Sequence, residues 1–207
     1  MKFRQQNIVS HWYDGFFYEK FIAPNQDSLY TTINGLIKPD STIIDVGCAT
    51  GRLSYRLANK YKSYIGIDPS IKNILRAKKN IKNKQIEFFN TDIESFVLNT
   101  NRKFDYSIMT YVIHEVPENK RISILNSMAK ISDTLIIADY TIPRPKTFRS
   151  ILNEMVEFFA GKNHYRNFKN FEHNGGLKGL IGNSDFEILT ETNDLEITSQ
   201  ILILKQK

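Results

Sequence analysis

The sequence predicts an α/β fold: a doubly wound, mostly parallel seven-stranded sheet with a helical cap and a C-terminal antiparallel hairpin. From Thr42 onward, short β-branched or aromatic runs alternate with amphipathic segments, which is the pattern of successive βαβ units. The chain then ends in two apolar runs joined by polar residues, which is typical of an antiparallel pair. A length of 207 residues, with 41% apolar and 24% charged residues, fits one domain with a modest insertion.

Five strands are predicted for the parallel part of the sheet. Each is largely apolar, as expected when helices cover both faces of a parallel sheet. They are Thr42–Gly47, Ser63–Asp68, Gln85–Asn90, Phe104–Tyr111 and Thr134–Tyr140.

Helices are predicted between these strands. The first runs from about Arg52 to Tyr61, the second follows the helix-start signal Pro69-Ser70, and the third begins near Pro117, a favoured first-turn residue. Each has an apolar stripe for packing on the sheet. The stripes contain Leu53, Leu57 and Ala58 in the first helix, Ile71, Ile74, Leu75 and Ala77 in the second, and Ile122, Leu125, Met128 and Ala129 in the third.

The alternation stops after the fifth strand, where Pro143 and Pro145 interrupt the chain. Phe148–Ala160 is predicted to be a helix because bulky apolar residues recur along it. An insertion continues through the aromatic and basic stretch Gly161–Gly176 to a short helix at Leu177–Ile181. We expect this insertion to cover the sheet as a cap.

Two closing runs, Phe186–Thr190 and Leu195–Leu204, predict the antiparallel hairpin, and Thr192-Asn193-Asp194 is the predicted reversal. Strands added to a dinucleotide-binding sheet usually arrive through helical crossovers instead. The predicted organisation is a single domain with an N-terminal helical lid (1–40), a core (41–140), a cap insertion (141–182) and a hairpin (183–207).

The formal net charge of +6 raises the question of a nucleic-acid partner. The basic residues are dispersed, and one group along the second helix and its exit is ordinary for a solvated helix face. Aromatic residues for base stacking are not interleaved with it. We therefore expect no nucleic-acid partner. That group comprises Lys72, Arg76, Lys78, Lys79, Lys82 and Lys84.

Cys48 is the only cysteine, which excludes an intrachain disulfide and fits a reducing compartment. The polar start Met1–Gln6 lacks the apolar core of a signal peptide, and no apolar run approaches the roughly 20 residues that cross a bilayer. We expect a cytoplasmic protein without a membrane span, either monomeric or homodimeric.

The strongest local signal is the segment Ile43–Gly51, an apolar strand that ends in an acid and a small-residue turn into a helix. Gly47 and Gly51 tolerate backbone angles closed to other residues and let a ligand approach the main chain. Asp45 would face an ammonium group, directly or through water. A βα connection that binds nothing also favours glycine, so this segment alone leaves both interpretations open.

Two further acids follow the next strands. Asp68 lies about 20 residues after the glycine turn, where a carboxylate can accept the hydroxyls of a ribose. Asp92 follows the third strand, where it would meet an adenine amino group or cap the next helix. The spacing is not G-x-G-x-x-G, and Asp45 would repel a pyrophosphate. The pattern therefore favours an adenosine-bearing ligand that is neutral or cationic.

With these segments the chain resembles the class I methyltransferases that use S-adenosylmethionine (SAM), which have a Rossmann-like fold. The resemblance rests on Asp45–Gly51, Gly66–Asp68, Thr91–Ile93 and Phe104–Pro117. It departs at Ala49, where the family usually has glycine, and at Glu115, where many relatives have a second histidine. It implies SAM as cofactor, with contacts from Tyr18, Asp45, Gly47, Cys48, Ala49, Gly51, Asp68, Pro69, Asp92, Ile93, Met109 and Thr110.

The same resemblance extends to small-molecule methyltransferases through the aromatic lead-in Trp12–Phe21 and the cap stretch Asn163–Phe168. The lead-in would form a lid over the ligands, or it would simply pack its aromatic face on the core. The implied reaction is methyl transfer to a small organic acceptor. The residues expected at that acceptor are Tyr13, Tyr111, His164 and Tyr165.

Methyl transfer from a sulfonium needs alignment and a dry cavity more than a base. For a hydroxyl acceptor, His114 or His164 would take the proton, since histidine titrates near neutrality; either is also an ordinary structural histidine. The spacing of the histidines predicts no metal site.

Three alternatives differ in class from a small-molecule methyltransferase. Basic residues near the cap would suit an RNA or protein methyltransferase, although no Asn-Pro-Pro-Tyr motif or second cysteine is present. Ala49 would suit a SAM-binding module without catalysis. A nicotinamide-dependent dehydrogenase would need a pyrophosphate beside Asp45. The basic residues near the cap are Arg144, Lys146, Arg149, Lys162, Arg166 and Lys169.

Overall fold

The computed structural model describes residues 26–57, 60–79, 81, 83–194 and 198–207. Seven strands in this part of the chain form one sheet. They are β1 (Ser41–Val46), β2 (Tyr61–Asp68), β3 (Ile86–Asn90), β4 (Phe104–Thr110), β5 (Ser132–Tyr140), β6 (Phe186–Asp194) and β7 (Ser199–Gln206).

The sheet has the order β3-β2-β1-β4-β5-β7-β6. The first five strands in this order are parallel, and β7 runs antiparallel to both β5 and β6. The predicted seven-stranded, mostly parallel sheet with an antiparallel hairpin is therefore confirmed. Strand order reverses between β1 and β4, and ligands of open α/β sheets bind outside the carboxyl ends of the strands at such a point.

Eight helices surround the sheet in the described residues. They are α1 (Asp27–Leu36), α2 (Arg52–Arg56), α3 (Ile71–Lys79), α4 (Ile93–Leu98), α5 (Glu118–Ala129), α6 (Phe148–Phe159), α7 (Lys162–His173) and α8 (Gly176–Gly182).

Helices cover both faces, so the sheet is doubly wound. On one face, α1, α2 and α3 pack residues such as Ile33, Leu53 and Ile74 against the sheet. On the other face, α4, α5, α7 and α8 contribute a second core. Its helical members are Ile93, Phe96, Leu125, Met128, Phe171, Leu177 and Ile181.

The structure corrects two helix predictions. α2 ends at Arg56, and Tyr61 belongs to β2, where it pairs with Ser41, so the predicted helix to Tyr61 was too long. In α3 the buried residues include Ile74 and Ala77, whereas Leu75 is 60% exposed and does not join the apolar stripe. Because Leu75 follows Ile74 directly, it is rotated about 100° away from the inward face.

Two predictions nearer the end of the chain also change. The stretch after Gly161 forms a full helix, α7, whose Phe168 and Phe171 are buried. Strand β6 extends to Asp194, so the predicted reversal Thr192-Asn193-Asp194 instead pairs with β7. Backbone pairing with a neighbouring strand overrides the turn preference of Asn and Asp here.

The predicted lid residues Tyr13 and Tyr18, and the aromatic stretch around them, lie outside the described residues. Within the described ranges, no helix has both the length and the apolar character needed for a membrane span.

Candidate functional site

The turn after β1 has the backbone conformation that the glycine-rich pattern predicts. Gly47 and Gly51 have φ of 78° and 80°, and Ala49 has φ of 47°. The left-handed region is open to glycine but costs an L-residue with a Cβ about 1–2 kcal/mol. Alanine at position 49 therefore keeps the shape of the turn at an energetic cost. Gly51 is also the residue from which α2 begins.

Asp45 ends up almost fully buried, with 1% of its surface exposed. Tyr64, on the neighbouring strand β2, donates a hydrogen bond to Asp45 Oδ2. Asp45 Oδ1 is buried and has no hydrogen-bond partner among the described residues. Burial raises the pKa of Asp45 to about 7; the bond from Tyr64 opposes this rise, and the nearby Asp68 adds to it. The unsatisfied oxygen fits a ligand that brings a donor or a positive charge.

Asp68 ties the end of β2 to the glycine turn. Its Oδ2 accepts a hydrogen bond from the backbone N–H of Ala49 at 2.9 Å, and its Oδ1 accepts one from Ser70 at 2.8 Å. Asn73 Nδ2 lies 3.4 Å from the same Oδ1. These bonds hold the end of β2 against the glycine turn. Asp68 therefore holds the glycine turn in position.

Asp92 serves as the N-cap of α4, accepting a hydrogen bond from the backbone N–H of Ser95 at 2.7 Å. Capping was one of the two roles that the sequence left open for this residue. Ile93 next to it is buried in the second core. Pro69 is exposed, and its carbonyl accepts a hydrogen bond from Asn90 Nδ2 at 2.8 Å.

Three other predicted cofactor residues differ in accessibility. Met109 is 1% exposed and belongs to the second core, so a ligand can meet only its backbone. Thr110, the last residue of β4, is half-buried. Cys48 is buried in the first core, and burial, with Asp45 and Asp68, raises the pKa of its thiol.

The segment after β4, residues 111–115, links the glycine turn to a second polar region. At its start, the side chain of Val112 lies so close to Gly47 that a Cβ there would meet Val112 Cγ2 at 2.4 Å. Tyr111 has φ of 54° and hydrogen-bonds the hydroxyl of Ser199. Two residues after Val112 comes His114, which is 1% exposed.

His114 is the centre of a buried group of imidazoles and carboxylates. Its Nδ1 is 2.7 Å from Asp139 Oδ1, and its backbone N–H donates to Asp139 Oδ2 at 3.2 Å. Its Nε2 lies 3.4 Å from Glu157 Oε2 and 4.0 Å from Glu115 Oε1. The ring of His164 lies 5.7 Å from that of His114. The five residues of this polar cluster are His114, Glu115, Asp139, Glu157 and His164.

Helix α6 and helix α7 supply the far side of the polar cluster. Glu157, on α6, accepts hydrogen bonds from Tyr140 Oη at 2.8 Å and from His164 Nε2 on α7. His164 Nδ1 lies 3.8 Å from Glu115 Oε2. The two histidines are 50 positions apart in sequence and meet only through the fold.

Burial and the charges of neighbouring groups shift the pKa values of His114, Glu115 and Glu157. Burial alone would lower the pKa of His114, but Asp139 and Glu157 raise it well above 6.5. The ring therefore keeps a proton at neutral pH, which makes it a poor free base. Burial raises the pKa of Glu115 to about 7 against the pull of both histidines. The pKa of Glu157 is lowered because the two imidazoles outweigh its burial.

A cavity of about 380 Å³ borders the polar cluster. Its lining includes Glu115 and His164 together with backbone and side chains at the start of α7. Tyr165 does not line it; its hydroxyl donates to Glu154 Oε1 at 3.0 Å. The full lining is Glu115, Ala160, Gly161, Lys162, Asn163, His164 and Asn167.

Sequence reasoning missed Asp139 and Glu157. Asp139 has a detectable signal, since it is an acid near the carboxyl end of the apolar strand β5, like the acids that were recognised. Glu157 has none, because an acid on an amphipathic helix usually faces solvent. Glu157 is only 4% exposed because α6 packs against Tyr140.

Residues 43–133 match the family described as "Methyltransferase domain". The matched segment is therefore similar to methyltransferase domains. The sequence predicts SAM, which has an ammonium and a carboxylate group, as the ligand of such a segment. Asp45 Oδ1, which is buried and has no hydrogen-bond partner among the described residues, fits the ammonium end of such a ligand.

A curated Saccharomyces cerevisiae protein described as "Probable S-adenosylmethionine-dependent methyltransferase" is 24% identical over 162 residues. That match covers 76% of this chain and 56% of the relative, so the chain spans about half of the relative's length.

Solved structures show the same fold. Magnesium protoporphyrin IX methyltransferase from Synechocystis PCC 6803, solved with bound S-adenosylhomocysteine (SAH), has a TM-score of 0.62 at 20% identity, over 98% of this chain and 90% of that one. The N-methyltransferase NodS from Bradyrhizobium japonicum WM9 has a TM-score of 0.62 at 15% identity, over 89% and 98%. The pyocyanin biosynthetic protein PhzM has a TM-score of 0.67 at 14% identity, over 92% and 61%.

Proposed function

We propose that this chain transfers a methyl group from SAM to a small organic acceptor. The observation that carries the proposal is the segment after β4, which touches the glycine turn through Val112 and presents the polar cluster through His114 and Glu115. A donor bound at the turn and an acceptor held at the cluster would therefore share one edge of the sheet.

The cofactor supplies an electrophilic methyl group on a sulfonium, and the chain has to hold both partners. Asp45 would pair with the ammonium group of the cofactor, and the turn backbone would meet its carboxylate. Asp68 would accept hydrogen bonds from the ribose, and Asp92 would accept one from the adenine amino group. The site residues are proposed from these positions and from the resemblance in sequence.

The acceptor side is proposed to lie at the cavity between the segment after β4 and α7. A volume of about 380 Å³ suits a small ligand. His164 lines this cavity and is the histidine placed to accept a proton from a hydroxyl, whereas buried His114 holds its own proton. Small-molecule acceptors are also what the names of the porphyrin and pyocyanin enzymes indicate for those neighbours.

The reaction is tested by incubating the chain with isotopically labelled SAM and a cell extract separated by size into a small-molecule and a macromolecular fraction. We expect label in the small-molecule fraction, together with formation of SAH. Asp45→Asn should lose this transfer, and Asp133→Asn, an exposed aspartate on β5, should keep it. Label confined to RNA or protein would reject the small-acceptor proposal, and no SAM binding by the folded chain would reject methyl transfer itself.

A further inference from the structure

The polar cluster has the composition and the arrangement of a metal site. We propose that His114, Glu115 and His164 bind a divalent transition-metal ion of the Zn²⁺ type. The ligand atoms that these three residues offer all lie within 4.8 Å of one another. Imidazole nitrogen and carboxylate oxygen are ordinary zinc ligands, and two histidines with one glutamate form a known type of catalytic zinc site. This proposal is independent of methyl transfer, since ion binding is measured without SAM.

Each histidine presents one ring nitrogen to a buried carboxylate and the other to Glu115. His114 Nδ1 is held by Asp139 at 2.7 Å, which leaves its Nε2 facing Glu115 at 4.0 Å. His164 Nε2 is held by Glu157, which leaves its Nδ1 facing Glu115 at 3.8 Å. Metal-binding histidines almost always donate their second N–H to a carboxylate or carbonyl in this way.

The distances are close to those a bound ion requires. Zinc bonds of about 2.0–2.2 Å place tetrahedral ligand atoms roughly 3.3 Å apart. Glu115 faces the two rings through different oxygens, at 3.8 and 4.0 Å, and the ligand atoms of the three residues all lie within 4.8 Å of one another. Binding an ion therefore needs side-chain movements of up to about 1.5 Å.

His114 Nε2 supplies independent support. The residue is 1% exposed, and Nε2 makes no hydrogen bond within the described residues although Glu157 Oε2 lies 3.4 Å away. A buried polar atom left unsatisfied is costly, so its presence calls for a ligand. An ion at the cluster would displace a proton from His114, take the lone pair of Nε2 and offset the negative charge of Glu115, Asp139 and Glu157.

Three protein ligands leave a coordination position for another molecule. Structural zinc sites are closed by four protein ligands, whereas catalytic sites keep one position open. Here Glu115 and His164 border the cavity of about 380 Å³, so the open position would face it. A bound ion would lower the pKa of a coordinated hydroxyl or thiol of the acceptor and would replace His164 in that task.

The experiment is a zinc titration of the chelator-treated full chain by calorimetry, with metal content measured after gel filtration. We expect one Zn²⁺ per chain at micromolar concentration. The double variant His114→Ala/His164→Ala should lose it. Glu115→Gln, whose side chain is partly exposed, and Asp139→Asn should weaken it by about 10–100-fold. Cobalt(II) in place of zinc should give visible absorption bands that the same variants lose.

The matched control is His173→Ala, an exposed histidine at the end of α7, which should bind zinc like the unmodified chain. Circular dichroism shows which variants fold, and if the double variant does not, Glu115→Gln and Asp139→Asn decide. The proposal is overturned by a chain that binds no stoichiometric zinc, by folded ligand variants that bind it unchanged, or by loss of binding in His173→Ala.

Discussion

At the scale of single residues, Asp45 shows a conflict between folding and ligand binding. The residue is 1% exposed, one of its carboxyl oxygens has no partner in the part of the chain that the structure describes, and burial raises its pKa to about 7. Unfolding returns that pKa to about 3.8. Between pH 3.8 and pH 7 the folded chain keeps a proton on Asp45 that the unfolded chain has lost. The free energy of unfolding therefore falls over this range, and the loss is complete once the pH has risen through 7. A positively charged ligand beside Asp45 would offset this loss of stability.

SAM affinity should therefore depend on pH through Asp45. Below pH 7 the carboxyl must lose a proton before it pairs with an ammonium group, which costs up to about tenfold in affinity per pH unit. We expect the dissociation constant to fall as the pH rises from 6 to 7.5, measured by calorimetry. The Asp45→Asn variant should bind SAM more weakly, and its dissociation constant should not change over this pH range.

Asp133→Asn removes the same charge at an exposed position and should keep the pH profile of the unmodified chain. An unmodified chain whose SAM affinity is constant between pH 6 and 7.5 would contradict this role of Asp45.

At the scale of elements, the sequence predicts most residues of the proposed cofactor site and few residues of the polar cluster. Strand ends are readable because an apolar run stops near an acid. Asp45 and Asp68 lie in the last two residues of β1 and β2, and Asp92 comes two residues after β3. Asp139 and Glu157 act through contacts between β5, α6 and α7 that no local pattern encodes. The reversal of the hairpin was misplaced because β7 pairs with residues that alone favour a turn.

Arg121 joins α5 to α7 and so fixes the helix that carries His164. It is 2% exposed and donates to Val116 O, Asn170 Oδ1 and Asn167 O at 3.0, 2.9 and 2.8 Å. Lysine keeps the charge but not the planar fork of donors. Arg121→Lys should therefore destabilise the chain by about 2–4 kcal/mol in urea unfolding.

The comparison for Arg121 is Arg102→Lys, an exposed arginine that pairs with Glu87 at 2.6 Å. Exposed ion pairs contribute little, so this change should cost less than about 1 kcal/mol. Equal unfolding midpoints for the two variants would show that Arg121 does not hold α7 in place.

At the scale of the whole molecule, acidic residues of the cap pair with part of the basic charge that gives the chain its net +6. Arg144 lies 2.8 Å from Glu154 and 3.9 Å from Glu172. Lys169 lies 3.4 Å from Glu154 and also pairs with Glu172. Two of the basic residues that favoured an RNA substrate are therefore neutralised within the cap.

RNA binding should accordingly be weak and non-specific. By fluorescence anisotropy with a labelled single-stranded RNA, we expect a dissociation constant above about 10 µM at 150 mM salt that rises steeply with salt and ignores sequence. The double variant Glu154→Gln/Glu172→Gln releases Arg144 and Lys169 and should bind the same RNA several-fold more tightly. Tight, sequence-dependent binding by the unmodified chain at 150 mM salt would instead favour RNA as the acceptor, because a small-molecule enzyme has no use for such an affinity.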